Sequence, residues 1–339
     1  MTLLARDEAD VVEAQIAFHL HAGVDFVVAT DNRSEDGTRE ILERYERAGV
    51  LHLLREEGDD MRQSEWVTRM ARLAATEFDA DWVLNADADE FWWPRGGTLK
   101  EVLATVPERF GVVRGSWRHF LPTSSPEPFF ADRMTVRLAA PAHPGDKETV
   151  YHAHQKVAHR ARPDVVVEPG NHDAVAPGLE PLRAWHPIEV LHFSFRSLEQ
   201  LEAKSRGGWL RQPVEALTLH QVLQHRAYRE GRLAEYLDQF LVTAERLERG
   251  LADGTLAVDT RLRDALRSLR AEDGTFVLPT AGRRLPFPRP PLLEDAQYAA
   301  EASVLVGIDG VVRAEERTDA FEARLRALER NPLHRLLRR

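Results

Sequence analysis

Apolar and polar positions alternate in blocks over the first ninety residues. Thr2–Ala5 is a short apolar run that reads as a strand. Asp10–Ala22 carries apolar residues at Val11, Val12, Ala14, Ile16, Ala17, Phe18 and Leu20, a helical spacing that stops near Gly23. Asp25–Thr30 reads as a buried strand, Asp31–Gly37 as a polar turn, Thr38–Ala48 as a helix ended by Gly49, and Val50–Leu54 as a third strand. Ser64–Glu77 is a predicted helix and Asp81–Leu84 a fourth strand. Strands alternating with helices predict an α/β fold, a Rossmann-like, mostly parallel sheet flanked by helices. Such sheets bind ligands beyond the carboxyl ends of their strands. The polar clusters Arg6–Glu8, Asp31–Asp36 and Asp87–Glu90 all lie at those ends, so topology is expected to bring them together.

From about Arg109 to Phe195 the pattern changes to short β-like pieces: Gly111–Val113, Met134–Leu138, Lys156–Arg160, Val165–Glu168 and Val190–Phe195. Pro, Gly and His separate them, which suggests a mixed sheet with long loops on an acceptor side. Beyond Ser197 the spacing is helical, over Ser197–Arg206, Pro213–Gly231, Leu233–Leu251 and Thr260–Arg270. Leu285-Pro286-Phe287-Pro288-Arg289-Pro290-Pro291 reads as an extended linker before an Arg-rich tail, Ala320–Arg339. The expected organisation is a domain over residues 1–210, with a nucleotide-binding half (1–95) and an acceptor-side half (96–210), and a mostly helical C-terminal region over 211–339.

Composition narrows the chemistry. The 339 residues are 43% hydrophobic, enough for a sizeable core, and the net charge of −10 argues against a general nucleic-acid binder. With no cysteine, disulfides, thiolate metal sites and cysteine nucleophiles are excluded. No apolar run approaches the ~18 residues of a membrane span, and the N-terminus lacks a signal-peptide apolar region; a cytoplasmic location is expected. Lysine occurs only at Lys100, Lys147, Lys156 and Lys204 among 45 basic residues. A chain that otherwise uses Arg has reason to keep the compact ammonium at particular positions, which draws notice to Lys156 and Lys204.

Asp87-Ala88-Asp89-Glu90 follows a buried strand and precedes Phe91-Trp92-Trp93. In an extended backbone Asp87 and Asp89 point the same way. Two such carboxylates repel unless a cation lies between them, and hard oxygen ligands favour Mg²⁺ or Mn²⁺, ions that also hold phosphates. A solvated acidic turn is the alternative, but it gives no reason for three aromatics beside it. Asp31 ends the second strand, where a carboxylate suits a nucleobase imide N–H, while Ser34 to Thr38 fit a capped βα loop.

These clusters, with Ala5-Arg6-Asp7-Glu8, carry a resemblance. The chain resembles family 2-type glycosyltransferases of the GT-A fold, whose motifs are an N-E pair after the first strand, D-x-S-x-D-G-T after the second and D-x-D after the fourth. Here they read Asp7-Glu8, Asp31-Asn32-Arg33-Ser34-Glu35-Asp36-Gly37-Thr38 and Asp87-Ala88-Asp89. A later motif, Leu191-His192-Phe193-Ser194-Phe195-Arg196-Ser197 through Lys204, is similar to that of a bacterial, family 92-like subset. The resemblance covers about residues 2–210. It implies a GT-A fold with a helical C-terminal extension, a nucleotide-sugar donor (a UDP-sugar first), a saccharide or glycoconjugate acceptor, and inverting transfer. It implies Asp87, Asp89 and His192 as ligands of Mn²⁺ or Mg²⁺, with His172 an alternative to His192. Ala5, Arg6, Glu8 and Asp31 would hold the nucleoside, and Arg196 and Lys204 the diphosphate. An acceptor hydroxyl needs a general base within hydrogen-bond reach. Asp173 is the first candidate; His172, Glu90 and His119 are its rivals.

Three other readings stand beside this one. A sugar nucleotidyltransferase would want a Gly-rich basic loop after strand one, where this chain has Arg6-Asp7-Glu8-Ala9-Asp10. A dehalogenase-type phosphatase would need its D-x-D near the N-terminus. A non-catalytic carbohydrate-binding protein would use Trp92, Trp93, Trp117 and Trp209 as sugar platforms. The Arg-rich tail reads as a packed helix, as an oligomer contact, or as a peripheral contact with an anionic membrane face. His152-Ala153-His154 reads as a polar loop.

Overall fold

The structure, a computed structural model, describes residues 1–58, 62–124, 127–140, 151, 154–183, 186–206, 219–278, 285, 287, 314, 317–318 and 320–326. Trp209, His152, most of the Pro-rich linker and the tail beyond residue 326 lie outside them. The chain divides into two units, Met1–Pro290 and Pro291–Arg339. In the second, residues 320–326 are helical. Among the described residues no helix is long and apolar enough to cross a membrane.

In the first unit β1 (Thr2–Ala5), α1 (Val12–His21), β2 (Val27–Asp31), α2 (Thr38–Arg47), β3 (Leu51–Arg55), α3 (Gln63–Thr76) and β4 (Trp82–Asp87) follow one another as the periodicity predicts. Then come β5 (Glu90–Pro94), α4 (Leu99–Ala104), β6 (Val112–His119), α5 (Phe130–Arg133), β7 (Val136–Leu138), β8 (Gln155–Arg160), β9 (Val166–Val167), β10 (Ala174–Val175) and β11 (Ile188–His192). Helices α6 (Leu198–Arg206), α7 (Leu219–Arg229), α8 (Leu233–Asp238) and α9 (Ala244–Asp253), strand β12 (Leu256–Val258) and α10 (Arg261–Leu269) complete the unit. The main sheet runs β3-β2-β1-β4-β8-β6-β11-β5. β3, β2, β1 and β4 are mutually parallel, β8 is antiparallel to both its neighbours, and β11 is parallel to β6 and antiparallel to β5. This is the expected α/β class, with a mixed, mostly parallel sheet.

Both sheet faces are covered, so its strands read as nearly unbroken apolar runs. Val27 and Ala29 of β2 face one core with Phe18 of α1 and Leu42 of α2, while Val28 faces the other with Val67 and Met70 of α3. A third apolar cluster joins Leu201 of α6, Leu233 and Tyr236 of α8, Val136 of β7 and Leu256 of β12. The unit continues past residue 210 because β12 pairs with β7 and Leu262 and Leu266 of α10 enter the core of α1.

One local expectation is corrected, and one stretch left unassigned by spacing becomes a strand. Leu233–Leu251 is two helices, not one. Val242 N–H bonds Pro122 O and the Val242 side chain is buried, so the chain leaves the helix there and restarts at Thr243, whose hydroxyl caps α9. The aromatics Phe91-Trp92-Trp93 form β5, paired in register with Leu191, Val190 and Glu189 of β11.

Candidate active site

A cavity of about 500 Å³ opens at the carboxyl ends of β1 and β4, and Ala5, Arg6, Glu8, Asp87, Asp89, His172, His192 and Lys204 all line it. The polar clusters after β1 and β4 thus converge on one space. Ala88 and Asp89 form a turn between β4 and β5, so Asp87 and Asp89 do not share a side of one extended strand as alternation predicted. The turn brings them to one cavity all the same.

The loop after β1 is knitted to the loop after β2. Glu8 N–H donates to Thr38 Oγ1 at 2.8 Å, Ala9 N–H to Asp36 Oδ2 at 2.8 Å and Glu35 N–H to Asp7 Oδ1 at 2.8 Å. Ser34, Asp36 and Thr38 therefore shape the loop that presents Glu8. Asp31 is fully buried and accepts from Arg39 Nε at 2.8 Å. It is not among the residues that line the cavity; its neighbour Asn32 does line it and accepts from Arg6 Nη1 at 3.2 Å.

Asp89 lies under two cations. Lys204 of α6 donates to Asp89 Oδ2 at 2.7 Å, and Arg196 Nη1 stands 3.6 Å from the same oxygen. Burial opposes ionisation of Asp89, but Lys204, His192 and Arg196 outweigh it and hold the carboxyl well below the usual range. Burial pushes the His192 imidazole well below its ordinary value against the pull of Asp89. His192 Nε2 stands 3.9 Å from Asp89 Oδ1. Its Nδ1 is 3.2 Å from His119 Nδ1, and its ring stacks on Trp117 at 4.3 Å.

Arg196 is itself fully buried. It donates to Asp10 at 2.7 and 2.8 Å, to Glu8, and to Phe193 O at 3.1 Å. It is not among the residues that line the cavity, and it braces Glu8 and Asp89 from behind. Burial would discharge it, but Glu8 and Asp10 outweigh that. Lys204 lines the cavity and also stands 3.4 Å from Glu8 Oε1.

Glu90 is wholly buried below the cavity. It accepts from Trp117 Nε1–H at 2.8 Å and pairs with Lys156 Nζ at 3.0 Å. Burial pushes its carboxyl up to about 8, with Asp87 and Asp89 adding to the rise and Lys156 opposing it. Lys156 donates to Asp87 Oδ2 at 2.6 Å and to Gly170 O at 2.6 Å. Burial would discharge this ammonium too, but Asp87 and Glu90 outweigh it and keep it charged.

Of the proposed bases, only His172 lines the cavity. Its Nδ1 lies 2.8 Å from Gln155 O; a carbonyl can only accept, so Nδ1 carries the proton and Nε2 is the basic nitrogen. Asp173 accepts from Arg114 at 3.2 Å and from Ala174 N–H, and lies off the cavity.

Ligand atoms of Asp89, Glu90 and His192 lie within 4.8 Å of one another, the donor set that could hold a cation. Two carboxylates and a neutral imidazole suit Mn²⁺ or Mg²⁺. Asp87 is committed elsewhere: Lys156 takes Oδ2, while Asn171 Nδ2 and Gln63 Nε2 donate to Oδ1 at 3.0 and 3.5 Å. Sequence reasoning assigned Asp87 to the cation and passed over Glu90 as a ligand. It gave no role to Asn32, which sits inside the quoted loop motif, or to Gln63, Gln221 and Gln224, lining residues in no motif. Lys156 was signalled by the scarcity of lysine, without a role at Asp87. Of the tryptophan platforms of the carbohydrate-binding reading, Trp92 and Trp93 are buried, Trp117 lines the cavity and stacks on His192, and Trp209 lies outside the described residues.

The chain is 31% identical over 144 residues to a glycosyltransferase family 92 protein of rice (Oryza sativa subsp. japonica), a match covering 41% of this chain and 24% of that protein. This bears out the resemblance to GT-A glycosyltransferases. The match spans about a quarter of the relative's length. No protein-family model matches the chain. Among solved structures it overlaps Staphylococcus aureus TarS 1–349 in complex with UDP-GlcNAc (12% identity, 70% of each chain, TM-score 0.34). It also overlaps the mannosyltransferase PcManGT of Pyrobaculum calidifontis with GDP-Man and Mn²⁺ (14% identity, 91% of this chain and 84% of that one, TM-score 0.31). At overlaps this low neither neighbour says more about this chain.

Proposed function

We propose that the chain is a metal-dependent glycosyltransferase that moves a sugar from a nucleoside-diphosphate sugar to an acceptor hydroxyl. The observation that carries this reading is the convergence of Asp89, Glu90 and His192 beside the Lys204 ammonium, at the strand ends of an α/β sheet. Mn²⁺ or Mg²⁺ held by those three residues would supply Lewis acidity toward the departing diphosphate. Lys204 faces the same space and can neutralise leaving-group charge. Arg6, Asp7 and Asn32 line the cavity beside β1 and β2 and form the nucleoside end, for which a UDP-sugar is the first donor to test. His172, with Nδ1–H on Gln155 O and Nε2 basic, takes the proton from the acceptor, and a single displacement gives inversion.

The test is turnover of a panel of UDP-, GDP- and dTDP-sugars with Mn²⁺ by the wild type and Asp89→Ala. Metal-dependent donor consumption that falls by orders of magnitude in the variant is expected. Equal turnover by both proteins would overturn the assignment.

A further inference from the structure

The first carboxylate of the D-x-D motif lines the cavity beside Asp89 and is gripped by a hydrogen-bond network of its own. Lys156 is 1% exposed, and its three ammonium protons match three acceptors: Asp87 Oδ2 at 2.6 Å, Gly170 O at 2.6 Å and Glu90 Oε1 at 3.0 Å. The other Asp87 oxygen accepts from Asn171 Nδ2 at 3.0 Å and from Gln63 Nε2 at 3.5 Å. Gln63 Oε1 in turn accepts from Gly170 N–H at 3.2 Å. All of these bonds except the Lys156–Glu90 contact end on Asp87 or on the segment Gly170–Asn171.

That segment is held in an uncommon conformation. Gly170 has φ +74° and Asn171 φ +61°, two successive residues in the left-handed region. A non-glycine residue there is strained and persists only where its surroundings fix it. A Cβ at Gly170 would collide with the imidazole of His172, so the ring is folded back over the turn. The position of His172 is therefore set by the turn together with the Gln155 O bond and the stacked ring of His154, and Asp87 holds the turn through Lys156, Asn171 and Gln63.

We propose that Asp87, Lys156 and Asn171 form a latch that positions His172, so that Asp87 acts on the acceptor side of the cavity through the turn and is not a ligand of the cation. These are positioning residues. The role given to His172 rests on the transfer reading above, but the geometry of the latch does not. It couples the two sides of the cavity: the D-x-D turn carries Asp89 for the cation and Asp87 for the proposed base.

The test uses the full chain with ¹⁵N-labelled histidine and two variants. Asn171→Gly suits the left-handed backbone and deletes only the amide that grips Asp87; Lys156→Met deletes the ammonium. His172→Asn assigns the ring signals of His172. In the wild type those signals are expected to report one tautomer, protonated at Nδ1; in Asn171→Gly they are expected to move toward a tautomer average. UDP binding with Mn²⁺, read by calorimetry, is expected to stay within about twofold in Asn171→Gly. His172 signals unchanged in Asn171→Gly would overturn the latch. A loss of Mn²⁺-linked UDP affinity of about tenfold in that variant would also overturn it, because Asp87 would then belong to the cation site. Should Lys156→Met fail to fold, Asn171→Gly decides alone. Wild type that binds neither UDP nor GDP with Mn²⁺ counts against the transfer reading and leaves the histidine signals as the measure of the latch.

Discussion

Lys204 Nζ stands 2.7 Å from Asp89 Oδ2, across 115 residues of chain. The ammonium neutralises the carboxylate that the cation reading also needs. A divalent cation and Lys204 therefore compete for Asp89 unless a diphosphate draws the lysine away. Lys204→Met is expected to tighten Mn²⁺ binding to the nucleotide-free protein by about tenfold, the scale of one charge-assisted hydrogen bond, and to weaken UDP binding. Calorimetry with Mn²⁺ alone and then with UDP measures both; no gain in Mn²⁺ affinity would show that Lys204 does not compete.

Glu90 offers the sharpest contrast between the two readings of the motif. Glu90→Gln keeps an oxygen in reach of Trp117 and replaces the ionisable carboxyl with an amide. If Glu90 is a cation ligand, Mn²⁺ affinity falls by about tenfold or more, while Asp87→Asn lowers it less. The reverse ranking in a Mn²⁺ titration would return Asp87 to the cation.

Arg196 should matter for stability more than for chemistry. Its fully buried guanidinium braces Glu8, Asp10 and Asp89. Arg196→Met leaves buried carboxylates without their partner, for a loss of about 3–5 kcal/mol. Urea unfolding followed by circular dichroism gives the value; a loss below about 1 kcal/mol would mean that the network relaxes without its arginine.

Two histidines set an acid limit on the fold. His19 is fully buried, accepts from Trp92 N–H at 3.1 Å, and has Nδ1 2.7 Å from Gln15 O; burial lowers it to about 3. His159, also fully buried, is lowered by burial to about 4. Both stay neutral in the folded state where the unfolded chain takes up protons. Their stabilisation is therefore whole above pH ~6.5 and is lost as pH falls from there toward 4, by up to about 1.4 kcal/mol per pH unit for each histidine. Denaturant melts at pH 7 and pH 5 should show the drop, with a shallower slope in His159→Leu. An unchanged slope would place the proton on His159 in the folded protein.

The alternation of apolar runs and helical spacing was enough to read β1 through β4 and α1 through α3, because both faces of that half of the sheet are buried and each strand is a short apolar block. It was not enough for β5, whose Phe91-Trp92-Trp93 is a strand only because β11, a hundred residues later, offers it an edge. Nor could it see the break at Val242, which depends on a bond to Pro122. In the candidate site the charged motifs were legible: Glu8, Asp87, Asp89, His192 and Lys204 all reach the cavity. Their division of labour was not. Whether a carboxylate meets an ammonium, a guanidinium or a cation depends on groups that arrive from distant elements, as Lys156 does at Asp87 and Arg39 at Asp31.

The sequence by itself determined the α/β class, the strand ends at which polar clusters gather, and the donor types present, since these follow from local spacing and side-chain chemistry. Tertiary structure decided which of those donors face the cavity and which are spent on internal partners. Asp31 and Arg196 went inward, Glu90 was sealed beneath Trp117, and Asp87 was tied to the His172 turn. Burial and long-range pairing set the charge and reach of each group, and neither is encoded in the spacing of residues along the chain.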